Sequence, residues 1–428
     1  MGLLPTKNDF EQLRISPIRD LLAGFTVALV ALPLALAFGV ASGLGAEAGL
    51  TTAIIAGGIA AIFGGSRLQV SGPTGAMTVV LVPIFHAFGG SGVLFVGLLA
   101  GVLLILAAIT RVGEHVHRIP TAVIDGFTAG IGIVIVLQQF ANIFGVAAND
   151  GEKAWQFAWI AVSDATGGFS RLADWQAPAV ALAVAALILL ASKFLPRLPL
   201  TMVAVIAVTL LANVVQLDLA TIGELPARVG NFSLDFLTQS NWIALLMPAL
   251  AVAILAALES LLSAKVADSL RGENEKHDSN RELFGQGLAN LAVPFFGGVA
   301  ATAAIARTAV NVRQNAQSKL SAFSHAIFLA LAVLLLANLV SQIPLAALAG
   351  VLLATMLHVI KPSEVIQTLR SGHIDAIVFA VTFAVTVFGD LISAVVVGVI
   401  LSLLLNRTKL ASLSRRVPSI DSTETLGD

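Results

Sequence analysis

Long apolar runs bounded by Gly, Pro or charge recur along the chain, near residues 21–42, 46–64, 92–110, 122–144, 177–195, 200–216, 241–264, 321–340, 345–360, 375–389 and 391–406. A helix crosses the hydrocarbon layer with about 20 apolar residues, so this pattern predicts a chain of membrane helices. Three shorter and more polar stretches, 74–88, 280–294 and 302–314, complete the connections and bring the expected number of spans to about fourteen. Their weakness as spans marks them as unusual. The segment 1–20 carries Lys7, Arg14 and Arg19 without an apolar core and reads as a cytoplasmic leader, not a cleavable signal.

Composition sharpens this picture. Of 428 residues, 57% are apolar and only 11% charged, with mean hydropathy +0.93, whereas a soluble domain carries about 25% charge. The formal charge of −1 offers no basic surplus for nucleic acid, and the absence of cysteine removes disulfides and thiolate chemistry. Lys and Arg are held on the cytoplasmic side of short loops. With both termini inside, 20 of the 24 basic residues fall in cytoplasmic segments; Lys153, Arg171 and Arg228 fall outside, and Arg307 lies within a span. The external loops near 146–176 and 217–240 carry Asp150, Glu152, Asp164, Asp174, Asp218, Glu224 and Asp235. Trp155, Trp159, Trp175 and Trp242 then sit at the outer interface, or pad an external re-entrant helix.

A polar linker, 217–240, divides the chain into 21–216 and 241–406, with about seven spans in each. Two related halves with an odd number of spans must enter the membrane from opposite sides, forming an inverted repeat. At nearly matching offsets stand Ser71-Gly72-Pro73-Thr74-Gly75-Ala76 and Gly297-Gly298-Val299-Ala300-Ala301-Thr302-Ala303. Each reads as extended chain leading into a half-helix, with Pro73 at a first turn and Ser71 or Thr74 available as a cap. Irregular backbone at membrane depth must be buried in protein or line a cavity. Two half-helix N-termini facing one another present free N–H groups and positive dipole ends, and so predict an anion site. The plain alternative is a pair of helix-packing seams.

Ionisable residues at membrane depth supply the candidate chemistry. Glu259 stands alone in an apolar run, with Ser263 one turn further on; the pair reads as a site for a coupling proton or cation, the alternative being a carboxylate paired with Arg307. Arg307 is read as positive potential for an anion, with a fixed pair to Glu259 or snorkelling as alternatives. Asp125 reads as a cap or ion pair at the interface, Asp375 and Asp390 as span boundaries, and His86, His325 and His358 as helix-end residues without metal-ligand spacing. The run Arg271–Asn280 reads as a solvated cytoplasmic turn. No Walker loop, nucleophile elbow or His-Glu-x-x-His motif occurs, so ATP hydrolysis and hydrolase chemistry have no carrier.

Asp20-Leu21-Leu22-Ala23-Gly24 leading to Ala31-Leu32-Pro33, Ser71-Gly72-Pro73-Thr74, Lys276-His277-Asp278-Ser279-Asn280-Arg281-Glu282-Leu283, Gly285-Gln286-Gly287-Leu288-Ala289-Asn290, and Phe296-Gly297-Gly298 followed by Thr302–Thr308 together resemble the sulfate permease (SulP) family of anion transporters, in order from about residue 15 to 407. The resemblance implies an all-α polytopic fold in a seven-plus-seven inverted repeat, with core and gate domains. It further implies an anion site between the third and tenth helices and a homodimer. Carried onto this sequence, Thr74 and Gly75 begin the third helix, Ala301, Thr302 and Ala303 the tenth, and Glu259 is the acidic residue of the eighth. Sodium-using members have Asp and a following Thr where Glu259 and Ser263 stand, and Ala300 replaces a common Pro. Glu259 with Ala301–Arg307 resembles proton-linked dicarboxylate carriers, Gly72–Val80 bicarbonate carriers. The family usually adds a cytoplasmic STAS domain; residues 407–428 read as a polar cytoplasmic tail without it.

The expectation is therefore a secondary active transporter of small anions (bicarbonate, sulfate or a C4-dicarboxylate) in the inner membrane. It has no cofactor, and H+, or else Na+, as coupling ion. An uncoupled anion channel, a sodium-coupled bicarbonate carrier and a nucleobase permease are the alternatives.

Overall fold

The computed structural model describes residues 2–114, 120–144, 154–168, 175–195, 198–238, 241–271, 276–360, 362–389 and 391–414. Asp150, Glu152, Lys153, Arg171, Asp174, Asp390, the middle of the 271–280 turn and the tail beyond 414 lie outside the described residues. In chain order the helices are α1 (Lys7–Glu11), α2 (Pro17–Ala41), α3 (Ala46–Phe63), α4 (Gly75–Ile109), α5 (Thr121–Gln138), α6 (Phe140–Phe144), α7 (Ala154–Gly168), α8 (Gln176–Phe194) and α9 (Leu200–Val215). They continue with α10 (Leu246–Arg271), α11 (Ser279–Ala292), α12 (Ile305–Arg313), α13 (Lys319–Val340), α14 (Leu345–Val359), α15 (Pro362–Ser371), α16 (His373–Phe388) and α17 (Leu391–Ser414). Two short strands, β1 (Ser71–Gly72) and β2 (Thr302–Ala303), make the only two-stranded sheet among the described residues, beside one isolated antiparallel bridge between Thr221 and Pro344.

The molecule is an all-helical membrane protein. Seven of the described helices are long and apolar enough to cross a membrane, and four shorter apolar ones accompany them. The expected spans 74–88 and 92–110 form one helix, α4, interrupted at Gly89, whose φ of 66° and ψ of −172° are non-helical. Pro83 lies in the same helix, six residues before that break. The weak stretches at 280–294 and 302–314 appear as the short helices α11 and α12. In the expected external segment 146–176 stands α7, on which Trp155 and Trp159 are both exposed, as an amphipathic ring at the headgroup level would be.

The described chain forms two compact units, Met1–Arg118 with Ile131–Val359, and Ile119–Gly130 with Ile360–Asp428. In the first, α11 packs on α3 and α4, α10 on α4 and α12, and α13 on α2 and α3. Small side chains make these contacts: Ala56 and Ala60 of α3, Ala289 of α11 and Ala301 form one buried cluster with Val293. Small residues bring helix backbones close, which is how helices associate where lipid supplies no hydrophobic contrast. In the second unit, Ala122 and Val123 pack with Val378 of α16, and the Thr368 hydroxyl donates to Asp125 at 2.7 Å.

Candidate functional site

The two weak segments meet. β1 and β2 pair antiparallel, Ser71 opposite Ala303 and Gly72 opposite Thr302, and the Ala304 N–H donates to the Val70 carbonyl at 3.1 Å. A strand pair at membrane depth satisfies backbone groups that lipid cannot. From one side of this pair the chain turns into α4, from the other into α12, so the two helices start beside one another. Thr74 caps α4, its hydroxyl accepting from the Met77 N–H at 3.4 Å, while Ala304 precedes α12 with no side-chain cap. Among the described residues no acceptor takes the N–H groups of Gly75, Ala76, Ile305 or Ala306. Open N–H groups at a helix start carry its positive partial charge.

Neighbouring helices hold the pair in place. Asn290 of α11 grips Ala301 on both sides: its Nδ2 donates to the Ala301 carbonyl and its Oδ1 accepts from the Ala301 N–H, each at 2.8 Å. This double bond also fixes which end of the amide is oxygen. Gln286, one turn earlier, donates to Ser71 Oγ at 2.6 Å and to Glu282 Oε1 at 3.0 Å. On the other flank Thr302 Oγ1 donates to the Ala256 carbonyl at 3.1 Å and shares a 2.9 Å bond with Ser260 Oγ, which accepts from the Ala303 N–H at 3.3 Å. Thr302 and Ser260 are both fully buried. Thus the Thr302 hydroxyl, which the resemblance places at the start of the tenth helix beside the expected anion site, is bonded to α10.

Two charges flank the helix starts. Arg307 is 1% exposed; its Nη2 donates to the Pro73 carbonyl at 2.8 Å, while Nη1 is buried without a hydrogen-bond partner. Through this bond the side chain of one half-helix holds the approach to the other. Gly72, at φ 154°, makes room for it, since a Cβ there would collide with Arg307 Nη1. Glu259 of α10 is half-buried, and its Oε2 accepts from the Thr74 hydroxyl at 2.9 Å. No Glu259–Arg307 ion pair is present among the described residues: Glu259 is engaged by Thr74 and Arg307 by the Pro73 carbonyl.

The structure brings Thr74, Gly75, Ala301, Thr302, Ala303, Arg307 and Glu259 into one neighbourhood. Ser263 is turned elsewhere: its hydroxyl donates to Thr308 Oγ1 at 2.9 Å, and Thr308 also accepts from the Val70 N–H at 3.1 Å. One helical turn from Glu259 it faces α12, because Thr308 and not the carboxylate lies against that side of α10. His325, expected at a helix end, lies fully buried inside α13, and neither ring nitrogen has a partner. Asp20 instead serves a helix end, accepting from the Gln317 and Ser318 N–H groups at the start of α13. Ser260, Asn290 and Gln286 are not singled out by the sequence pattern, the last two standing only within the Gly285–Asn290 motif. Their spacing at i and i+4 on one face of α11 was the available signal.

The comparisons with known proteins concern the family and the fold. The model of the sulfate permease family matches residues 18–382. YvdB of Bacillus subtilis, provisionally named a sulfate transporter, is 39% identical over 391 residues, covering 90% of this chain and 72% of its own. The bicarbonate transporter BicA of Picosynechococcus is 33% identical over 422 residues, 95% of this chain and 73% of its own. Among solved structures, the transmembrane domain of a cyanobacterial BicA superposes with a TM-score of 0.79 at 33% identity, over 89% of this chain and 98% of that one. Murine Slc26a9, in an inward-facing state, superposes at 0.84 with 19% identity, over 95% and 71%, a likeness of fold. The chain belongs to the sulfate permease family, a family of transporters and not of enzymes.

Proposed function

We propose that the protein is a proton-coupled transporter of small anions, of the bicarbonate, sulfate or C4-dicarboxylate class, in the inner membrane with both termini cytoplasmic. The observation that carries this reading is the meeting of two helix N-termini, α4 and α12, over a buried arginine with an unpartnered Nη1. Open N–H groups of Gly75, Ala76, Ile305 and Ala306 and the Arg307 charge together favour an anion. Thr74, Ala301, Thr302 and Ala303 shape that place, Thr302 and Ala301 by holding β2. The antiparallel pairing of β1 with β2 supports reading 21–216 and 241–406 as inverted repeats joined by the 217–240 linker. A homodimer is part of the same proposal, on the family resemblance.

Glu259 supplies the coupling. While ionised, its carboxylate on Thr74 answers the positive potential at the α4 start and competes with an incoming anion. Protonated, it leaves that potential to the substrate. Proton and anion therefore favour one another's binding, and this reciprocity is what symport needs.

Reconstituted protein should accumulate labelled bicarbonate, sulfate or fumarate in vesicles under an inside-alkaline gradient. Glu259→Gln, a mimic of the neutral carboxyl, should still exchange anion across the membrane but lose uphill accumulation. Persistent accumulation by that variant would move the coupling residue elsewhere. The 33% identity to a bicarbonate transporter supports bicarbonate as the anion; a sodium-coupled bicarbonate carrier is the second reading. Uptake that follows sodium and ignores the pH gradient would select it.

A further inference from the structure

The motif Lys276–Leu283 has no part in the site so far. Its Glu282 is 2% exposed and stands on α11 one turn before Gln286, which is completely buried. Both carboxylate oxygens are engaged: Oε2 accepts from the Gly65 N–H at 2.9 Å and the Ser66 N–H at 3.1 Å, and Oε1 accepts from Gln286 Nε2 at 3.0 Å. All three partners are donors, which suits a group that only accepts. Because Oε1 has no proton to give, Gln286 must turn its nitrogen toward Glu282. The same nitrogen donates to Ser71 Oγ at 2.6 Å, while Gln286 Oε1 is without a partner.

These bonds bracket one piece of chain. Residues 64–74 lead from α3 to the start of α4 without forming helix. Glu282 holds the beginning of this stretch at Gly65 and Ser66, and Gln286 holds β1 at Ser71. Between them Asn311 donates to the Leu68 carbonyl at 2.8 Å, and Thr308 accepts from the Val70 N–H at 3.1 Å. The approach of α11 is close: a Cβ on Gly64 would lie 2.8 Å from Glu282 Oε2, and one on Gly285 would lie 2.5 Å from the Gly64 nitrogen. A side chain that must reach the turn with one oxygen and Gln286 with the other is defined by its length as much as by its charge.

We propose that Glu282 is a positioning residue for anion transport, acting through Gln286 and Ser71 to set where β1, and with it the start of α4, stands. This rests on the reading of the two helix starts as the anion site.

The test compares wild type with Glu282→Asp, Glu282→Gln, Ser71→Ala and the double variant Glu282→Asp/Ser71→Ala in proteoliposomes, with labelled bicarbonate and sulfate, beside Arg307→Gln. Asp keeps the charge but is one carbon too short to serve both the turn and Gln286. Gln keeps the length, and every bond survives if the Gln286 amide turns over and the Ser71 hydroxyl donates to it. Glu282→Asp should therefore raise KM about tenfold with little change in the maximal rate per folded molecule, while Glu282→Gln stays within about twofold of wild type. The opposite order would make charge and not reach the working property, and would overturn the proposal. Ser71→Ala should raise KM as well, and the double variant no further than the worse single one, because both cut the same path. Additive losses would overturn it. Hydrogen exchange at the amides of residues 65–72 gives a readout independent of transport and should quicken in Glu282→Asp but not in Glu282→Gln. Quickened exchange with a wild-type KM would make Glu282 purely structural. A wild-type KM in Glu282→Asp beside a raised KM in Arg307→Gln would remove this proposal alone; a wild-type KM in both would remove the anion-site reading with it.

Discussion

Arg307 and Thr302 show how one side chain can serve a site in two ways. Arg307 donates through Nη2 to the Pro73 carbonyl while Nη1 is buried without a partner, so its charge is fixed by the fold beside the chain that leads into α4. Its attraction for an anion scales with ligand charge. Arg307→Gln should therefore weaken binding of sulfate more than that of a monovalent anion; equal losses would assign the residue to structure alone. Thr302 differs, since its hydroxyl is engaged by Ala256 and Ser260. Thr302→Val leaves a buried carbonyl and hydroxyl short of a partner, a loss of about 1–3 kcal/mol of stability. If Thr302 acts by fixing β2, Ser260→Ala should lower thermal stability and anion affinity in the same proportion. A loss of affinity confined to Thr302→Val would restore it as a direct ligand.

At the scale of elements, the site depends on two strands of two residues each, too short to hold together by themselves. Their stability is borrowed from α10 and α11. Asn290 alone satisfies both backbone groups of Ala301, a fully buried residue. Asn290→Ala leaves two buried backbone groups orphaned at roughly 1–3 kcal/mol each. It should lower the melting temperature in detergent and abolish anion binding even where folded protein is recovered. Asn290→Asp, which keeps only the acceptor, should fall between the two. Wild-type melting in Asn290→Ala would mean that β2 is held by its strand partner and α10 alone. The double grip was not visible in the Gly-Gln-Gly-Leu-Ala-Asn motif, because the target carbonyl and amide belong to a later turn of chain.

At the scale of the whole molecule, charge gathers on one side of the first unit, where the N-terminal segment is anchored. Asp9 of α1 lies 2.9 Å from Arg281 and 3.6 Å from Lys319, and accepts from the Thr6 N–H and hydroxyl. Partial burial pushes the Asp9 carboxyl up, but the Thr6 and Arg281 bonds outweigh it and hold it at about 2, below the ordinary carboxylate range. A depressed folded value contributes stability above the ordinary range and loses it as pH falls through about 2. Pepsin cleavage within residues 2–15 should thus rise as the pH is lowered from about 4 toward 2. Asp9→Asn should expose Lys7 and Arg14 to trypsin at neutral pH without acid. Equal trypsin resistance in wild type and variant would mean that apolar contacts, not the ion pairs, hold α1.

The all-helical class, most of the long apolar helices and the two small-residue segments that become β1 and β2 were legible along the chain. Lipid demands long apolar runs and penalises each polar exception, so these features are written locally. That α4 would run through a break at Gly89 was not, because it depends on packing, and for 154–168 the sequence left a re-entrant helix as one of two readings, of which the structure shows the helix α7. Partners were decided by tertiary structure alone. On sequence grounds Arg307 could serve an anion, pair with Glu259 or snorkel; it donates to the Pro73 carbonyl, 234 positions away. Ser263 stands one turn from Glu259 yet bonds Thr308, and His325 sits in the interior, where sequence reading expected a helix end. A hydrogen bond between residues far apart in the chain leaves no periodic trace in either segment. It exists only once helix faces have been chosen, and in a membrane that choice is made by the close packing of small residues such as Ala56, Ala60, Ala289 and Ala301.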